Sequence, residues 1–277
     1  MAHQFRQVDA FTETPYFGNP VAVVLGADDL GDEQMQLFAR WTNLSETTFV
    51  LAPQAPEADY LVRIFTPARE LPFAGHPTLG TCHAWLESGG RPARAGQAVQ
   101  ECGAGLVRVR QTEAGLAFAA PPLRRSGPVD DAVADQVAGA LNLSRADIVD
   151  MQWADNGPGW VAVLLASAEA VLAVRPGPID LDIGVAGPYP DGSPEALEVR
   201  AFTPQIGPPG EDPVTGSLNA SLAQWLLATG RVTAPYVARQ GTVLGRRGLV
   251  RISLDEAGQV WVGGACVTCV SGTVELG

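Results

Sequence analysis

The chain repeats itself. Residues 63–67 read RIFTP and residues 200–204 read RAFTP. The first is followed by ELPFAGHPTLGTCHAWL (70–86) and the second by GEDPVTGSLNASLAQWL (210–226). Upstream, GNPVAVVL (18–25) is echoed by GWVAVLL (159–165). All three echoes keep the same order and nearly the same offset, about half the chain. Each block of the later pair reads as strand, Gly/Pro-rich loop, then helix. The simplest physical reading is a duplication: two similarly folded halves about a pseudo-twofold axis. Equivalent loops would then face one cleft, a common place for a ligand. Two stable strand–turn–helix units without any such role would leave the same trace.

The predicted elements are mixed. Apolar or alternating β-rich runs fall at 4–10, 20–25, 47–52, 60–66, 105–110, 115–119, 160–165, 197–203, 249–254 and 259–276. Helical spacing falls at 32–42, 77–88, 131–141 and 214–229. VRVRQTEAGLAFAA (107–120) and VRISLDEAGQVWVGG (250–264) each place two strands around a short Gly-containing loop, which predicts antiparallel pairing. Strands and helices do not alternate as in a doubly wound sheet. The Pro-rich, charged stretch 120–135 is the natural linker. We expect an α+β fold in two halves, 1–122 and 123–277, with the last strands able to return to the first half.

Composition narrows the function classes. Of 277 residues, 46% are hydrophobic and 17% charged, which is globular and not disordered. A formal net charge of −12 disfavours nucleic-acid binding. The N-terminus has no apolar leader, and the most apolar run, Trp160–Val174, contains Glu169 and is too short to span a bilayer. We expect a soluble, cytoplasmic protein with no membrane partner. Cys82, Cys102, Cys266 and Cys269 do not form a disulfide framework, and Cys266 and Cys269 lie in a strand-like run as ordinary thiols. His3, His76 and His83 lack zinc-site spacing, so no transition metal is expected. The six Trp residues read as core.

Three short motifs carry chemistry. In GHPT (75–78), Pro77 suits a first helical turn, which puts His76 at the N-cap. In DPVT (212–215), Asp212 is a good N-cap and Pro213 takes the first turn, with Gly216 and Ser217 following. Two such helix starts favour an anion, although a capping Asp is often only a cap. In NLSETTFV (43–50), Glu46 sits where a helix gives way to a strand, flanked by Leu44 and Phe49. Apolar surroundings would raise its pKa and suit it to proton transfer; a solvated Glu at a strand entrance is the plain alternative. His83 reads as a packed helix histidine. Gln240–Gly241 and Gly245–Arg246 read as a loop with a structural ion pair.

At these motifs the chain resembles the PhzF-like family, the phenazine-biosynthesis isomerases. The matching segments are 9–25, 43–50, 65–80, 202–219 and 240–248, which span nearly the whole chain in order. The resemblance implies the diaminopimelate epimerase-like fold: two halves, each a curved antiparallel sheet wrapped about a central helix. In those epimerases each half supplies a catalytic cysteine. Here the loops read AGHP and EDPV, with no thiol, as in the PhzF-like branch. The resemblance further implies Glu46 as the catalytic base that carries a proton between two carbons. It implies His76 and Asp212 as groups that bind and polarise the substrate. Ser217 would contact the substrate, and the amides of Gly75 and Gly216 would approach it. No cofactor or metal is implied.

The expected reaction is a cofactor-independent carbon-to-carbon proton shift on a small carboxylic acid of the trans-2,3-dihydro-3-hydroxyanthranilate type. A non-thiol racemase or epimerase of an amino-acid-like acid, and a non-catalytic small-ligand-binding protein, are the alternatives. A homodimer is the expected assembly on general grounds.

Overall fold

The computed structural model describes residues 2–204 and 210–276. The first part of the chain forms β1 (Ala2–Ala10), β2 (Asn19–Leu25), α1 (Asp32–Thr42), β3 (Glu46–Leu51), β4 (Tyr60–Phe65), β5 (Glu70–Leu71), α2 (Gly75–Glu87), β6 (Gln97–Cys102), β7 (Gly105–Thr112) and β8 (Gly115–Ala119). Next come β9 (Arg125–Pro128), α3 (Asp131–Ala140), β10 (Ile148–Asp155), β11 (Val161–Leu165), α4 (Ala168–Ala173), β12 (Ile183–Pro188), β13 (Leu197–Phe202) and β14 (Glu211–Asp212). The remainder is α5 (Gly216–Ala228), β15 (Tyr236–Gln240), β16 (Gly248–Leu254), β17 (Val260–Gly264) and β18 (Cys266–Glu275). The chain divides into two compact units, Met1–Ala119 with Gly263–Gly277, and Ala120–Val262.

In the first unit β1 pairs antiparallel with both β2 and β18. β2 and β3 are parallel, joined through α1, and β3 and β4 are antiparallel. β4 carries the short β5 and runs parallel to β6, which opens the antiparallel run β6–β7–β8. The second unit repeats this order. β10 and β11 are antiparallel, β11 and β12 parallel through α4, β12 and β13 antiparallel. β13 carries β14 and runs parallel to β15, which pairs with β16. Sequence patterning finds α1, α2 and α5 but not α4, six residues long, or β5 and β14, two each, and helical spacing alone does not say that the strands on either side run parallel. The expected linker at 120–135 is structured: β9 pairs with β10, and Asp130 caps α3 by accepting from the Val133 amide.

Alternation along each strand sorts side chains onto two faces. Val24, Phe49 and Phe65 pack with Met35 and Phe38 of α1. The opposite face of β2 and β3 meets α2, where Thr48 and Thr81 join hydroxyls at 2.8 Å. The contact is close: a Cβ on Gly80 of α2 would lie 2.3 Å from Val21. In the second unit α3 and α4 cover one face through Val137, Leu141, Val171 and Val174 against Val161, Ile183 and Phe202. α5 takes the other face, where a Cβ on Gly184 would lie 2.1 Å from Leu218. Both central helices are 13 residues long and buried on most sides, which is why neither shows a polar stripe. Trp41 departs from the expected core placement: it stacks on Phe38 yet stays 78% exposed.

Candidate active site

In the first unit strand alternation puts Glu46 on the α2 face, since Thr47 faces the α1 side and bonds Thr42 there. Glu46 opens β3 opposite Val21, and its side chain is only 14% exposed. His76 comes from α2 and its Nε2 lies 3.2 Å from Glu46 Oε2. His76 is not the N-cap; Ala74 is, and His76 is the second helical residue. The reason is Pro77, which needs no amide partner anywhere in the first turn and so does not mark where the helix begins.

Burial pushes the His76 imidazole down to about 3, with the Pro20 carbonyl pulling the other way. The ring is therefore neutral at neutral pH. It meets partners of opposite sense: the Asn19 amide nitrogen 3.2 Å from Nδ1, and the Pro20 carbonyl. When Nδ1 accepts from Asn19, the proton is on Nε2, which faces Glu46 Oε2 across 3.2 Å without hydrogen-bond geometry between the two atoms. In the other neutral tautomer the proton is on Nδ1, and Nε2 presents a lone pair toward Glu46. A neutral imidazole so placed suits both states of a carboxyl that takes up and returns a proton.

In the second unit Asp212 is likewise not a helix cap. It ends β14, and α5 starts at Gly216 with Thr215 as its N-cap. In helical register Gly75 and His76 correspond to Gly216 and Ser217, so the GHP of one half matches the GSL of the other and not the DPV. Gly75 and Gly216 are the first residues of α2 and α5, and amides at that position lie outside the helix's own ladder. The Ser217 hydroxyl accepts from Trp160 Nε1 at 3.1 Å, and the Ser217 carbonyl accepts from Asn156 Nδ2 at 2.9 Å. An indole only donates, so the Ser217 hydroxyl hydrogen is left to be donated to something else.

Asp212 is buried, and its Oδ2 accepts from the Thr215 hydroxyl at 2.5 Å. Its strand is held by Arg200, which donates to both carboxylate oxygens of Glu211 at 2.9 and 2.7 Å and to the Val171 and Val174 carbonyls at the end of α4. The first unit has the same clamp: Arg63 donates to both oxygens of Glu70 at 2.8 and 2.6 Å and to Asp32 of α1 at 2.6 Å.

Asn19 and Trp160 border the candidate site and escape motif reading, whereas Gln240, which the sequence places in a loop, lies in a strand. Asn19 and Trp160 each precede the repeated VAV run, which was the one available signal. Gln240 is the last residue of β15, and its side chain is fully buried against the Asp212 turn. His83 is partly buried and shares Thr268 and Glu87, 3.2 and 3.3 Å from its Nε2. The four cysteines are free thiols. Among the described residues, no group of three His, Cys, Asp or Glu side chains is gathered as a metal site, and no helix is long and apolar enough to cross a membrane.

Known proteins match this chain over nearly its whole length. The family model for phenazine biosynthesis-like proteins matches residues 8–272. A Schizosaccharomyces pombe protein named antisense-enhancing sequence 1 is 35% identical, with 98% of each chain covered. The trans-2,3-dihydro-3-hydroxyanthranilate isomerase of Pseudomonas fluorescens is 34% identical over 99% of this chain and 100% of its own. A PhzF-family crystal structure from Enterococcus faecalis superposes with a TM-score of 0.80 at 26% identity, covering 100% of both chains. The α+β fold is the expected diaminopimelate epimerase-like one. With two matching units, thiol-free helix starts and likeness from end to end, the chain belongs to the PhzC/PhzF family of phenazine biosynthesis-like proteins.

Proposed function

We propose that the chain catalyses a cofactor-independent carbon-to-carbon proton shift on a small carboxylic acid of the trans-2,3-dihydro-3-hydroxyanthranilate type. The chain is an isomerase. Glu46 removes the proton from one carbon and returns it to another on the same face. His76 steadies the carboxyl in both states, and Asp212 binds and polarises the substrate. Ser217 and the amides of Gly75 and Gly216 hold it. The observation that carries this reading is the 3.2 Å approach of a largely buried Glu46 to an imidazole that burial keeps neutral. Such a carboxyl has a partner that can switch between donating and accepting without itself becoming charged. The acid of this type with 34% identical support is the one named for the Pseudomonas fluorescens relative. We further place the enzyme in the cytoplasm as a homodimer.

The test is solvent deuterium exchange into trans-2,3-dihydro-3-hydroxyanthranilate and a panel of small unsaturated carboxylic acids, with Glu46→Gln beside wild type. Label entering one acid with wild type only is the expected result. Equal exchange by folded Glu46→Gln overturns the assignment of the base. Inversion of a stereocentre without movement of a double bond would turn the reading to epimerisation.

A further inference from the structure

Asp212 sits in a turn braced by side-chain hydrogen bonds whose directions the chemistry of their donors and acceptors fixes. Gln240 reaches into this turn from β15 and is fully buried. Its Oε1 accepts from the Thr215 backbone amide at 3.0 Å and from Asn219 Nδ2 at 2.8 Å. Its Nε2 donates to the Asp212 carbonyl at 3.2 Å and to Thr215 Oγ1 at 2.9 Å. The backbone partners settle which end of the amide is which, because an amide N–H can only donate and a carbonyl can only accept. The direction of the next bond follows. Thr215 Oγ1 already receives a proton from Gln240, so its own single hydrogen goes to Asp212 Oδ2 at 2.5 Å. Asn219 completes the brace by donating to the Thr215 carbonyl at 2.9 Å.

From this geometry we infer that Gln240 and Thr215 are positioning residues for Asp212: Gln240 sets the Thr215 hydroxyl as a donor, and that hydroxyl holds the Asp212 carboxylate in one orientation. The inference rests on the proposed catalytic place of Asp212 and deepens it. Neither Gln240 nor Thr215 needs to touch substrate. The fold alone does not explain the relay. In the first unit a different buried glutamine, Gln100, in the strand register of Ala238 and not of Gln240, donates to Thr78 of α2, the helical counterpart of Asn219, at 3.0 Å. That contact carries no carboxylate, because the position of Asp212 is held there by Leu71. Each unit thus has a buried glutamine spanning strand and helix, from different register positions, whereas the hydroxyl–carboxylate extension belongs to the second alone.

The experiment uses the full chain with three substitutions, Thr215→Val, Thr215→Ser and Asp212→Asn. Thr215→Val keeps the shape and leaves both Gln240 Oε1 bonds in place, so it is less disruptive than any change at Gln240. Two quantities are read: the orientation of the Asp212 carboxylate in crystal structures of the variants, and kcat and KM with trans-2,3-dihydro-3-hydroxyanthranilate. Expected for Thr215→Val is a rotated carboxylate and a loss of about 10- to 100-fold, concentrated in kcat, from losing a hydrogen bond to a charged group. Thr215→Ser, which keeps the hydroxyl, restores both. An unmoved carboxylate with unchanged kinetics in folded Thr215→Val overturns the inference. If Asp212→Asn retains full activity, the catalytic reading of Asp212 fails, but the positioning of its carboxylate by Thr215 does not fail with it. The crystal structures tell that failure apart, since the carboxylate would still turn when the hydroxyl is removed.

Discussion

Leu71 and Asp212 occupy the same backbone position in the two units. Leu71 pairs with Ile64 of the first FTP strand, and Asp212 pairs with Ala201 of the second. One place in a duplicated scaffold thus accepts either an apolar side chain or a buried acid, so the scaffold itself does not require the acid. Duplication separates two kinds of residue. Those present in both units, such as the Arg–Glu clamps, serve the fold. Those present in one, such as Glu46 with His76 or Asp212, stand out as candidates for chemistry.

Asp212→Asn should therefore fold with nearly wild-type stability, within about 1 kcal/mol, because the amide still offers an oxygen to Thr215. Its exchange activity should fall on the order of 10²-fold or more, as when a positioned acid–base group is removed. Urea unfolding beside deuterium exchange checks both halves. A large stability loss with residual activity intact would return Asp212 to a structural role.

The two clamps should differ in cost. Arg200 and Glu211 are 2% and 4% exposed, whereas Arg63 and Glu70 are 23% and 42% exposed. Arg200→Met strands a buried carboxylate and should cost roughly 3–5 kcal/mol. Arg63→Met breaks a solvated pair and should cost about 1 kcal/mol or less. Denaturant midpoints of the two variants, compared side by side, decide this. Equal losses would mean that burial does not govern the clamp.

His76 gives stability a pH dependence with a definite sign. Its folded value is pushed down from 6.5 to about 3. Between those values the unfolded chain binds a proton that the folded chain does not, so stability is full above pH 6.5 and declines as pH falls toward 3. The loss attributable to His76 approaches roughly 3–5 kcal/mol at the low end. His83 is also lowered by burial, so the measurement is the difference between wild type and His76→Gln, not the wild-type slope alone. Parallel curves for the two proteins from pH 7 to 4 would contradict a buried neutral imidazole.

Trp160 should act through Ser217. Trp160→Phe removes the N–H that Ser217 Oγ accepts and frees the hydroxyl to turn. An increase in KM of about 3- to 10-fold is expected, with a similar increase in Ser217→Ala. The double variant should be no worse than Ser217→Ala, because both changes remove one interaction chain. Additive effects would place Trp160 in a separate role.

Much of this protein was legible as sequence because its signals are local. The repeated FTP strands, the Gly/Pro-rich loops and the apolar runs around residues 21–24 and 161–164 each depend on neighbours a few residues apart. They declared an α+β duplication, and Glu46, His76 and Asp212 were found in the motifs that follow. What stayed hidden depends on register and distance. Pro77 and Asp212 looked like helix starts, yet the helices begin at Gly75 and Gly216, because a cap is chosen by where the turn is braced and not by one side chain. Asn19, 57 residues before His76, and Gln240, 25 residues after Thr215, became site residues only when β2 and β15 laid them beside the central helices. Strand alternation then decided that Glu46 would face α2 while Thr47 faces α1. Residue types suited to proton transfer were written in the chain, but the burial that keeps His76 neutral and the amide that aims a hydroxyl at Asp212 arise from packing segments far apart in sequence, and only the tertiary structure brings those together.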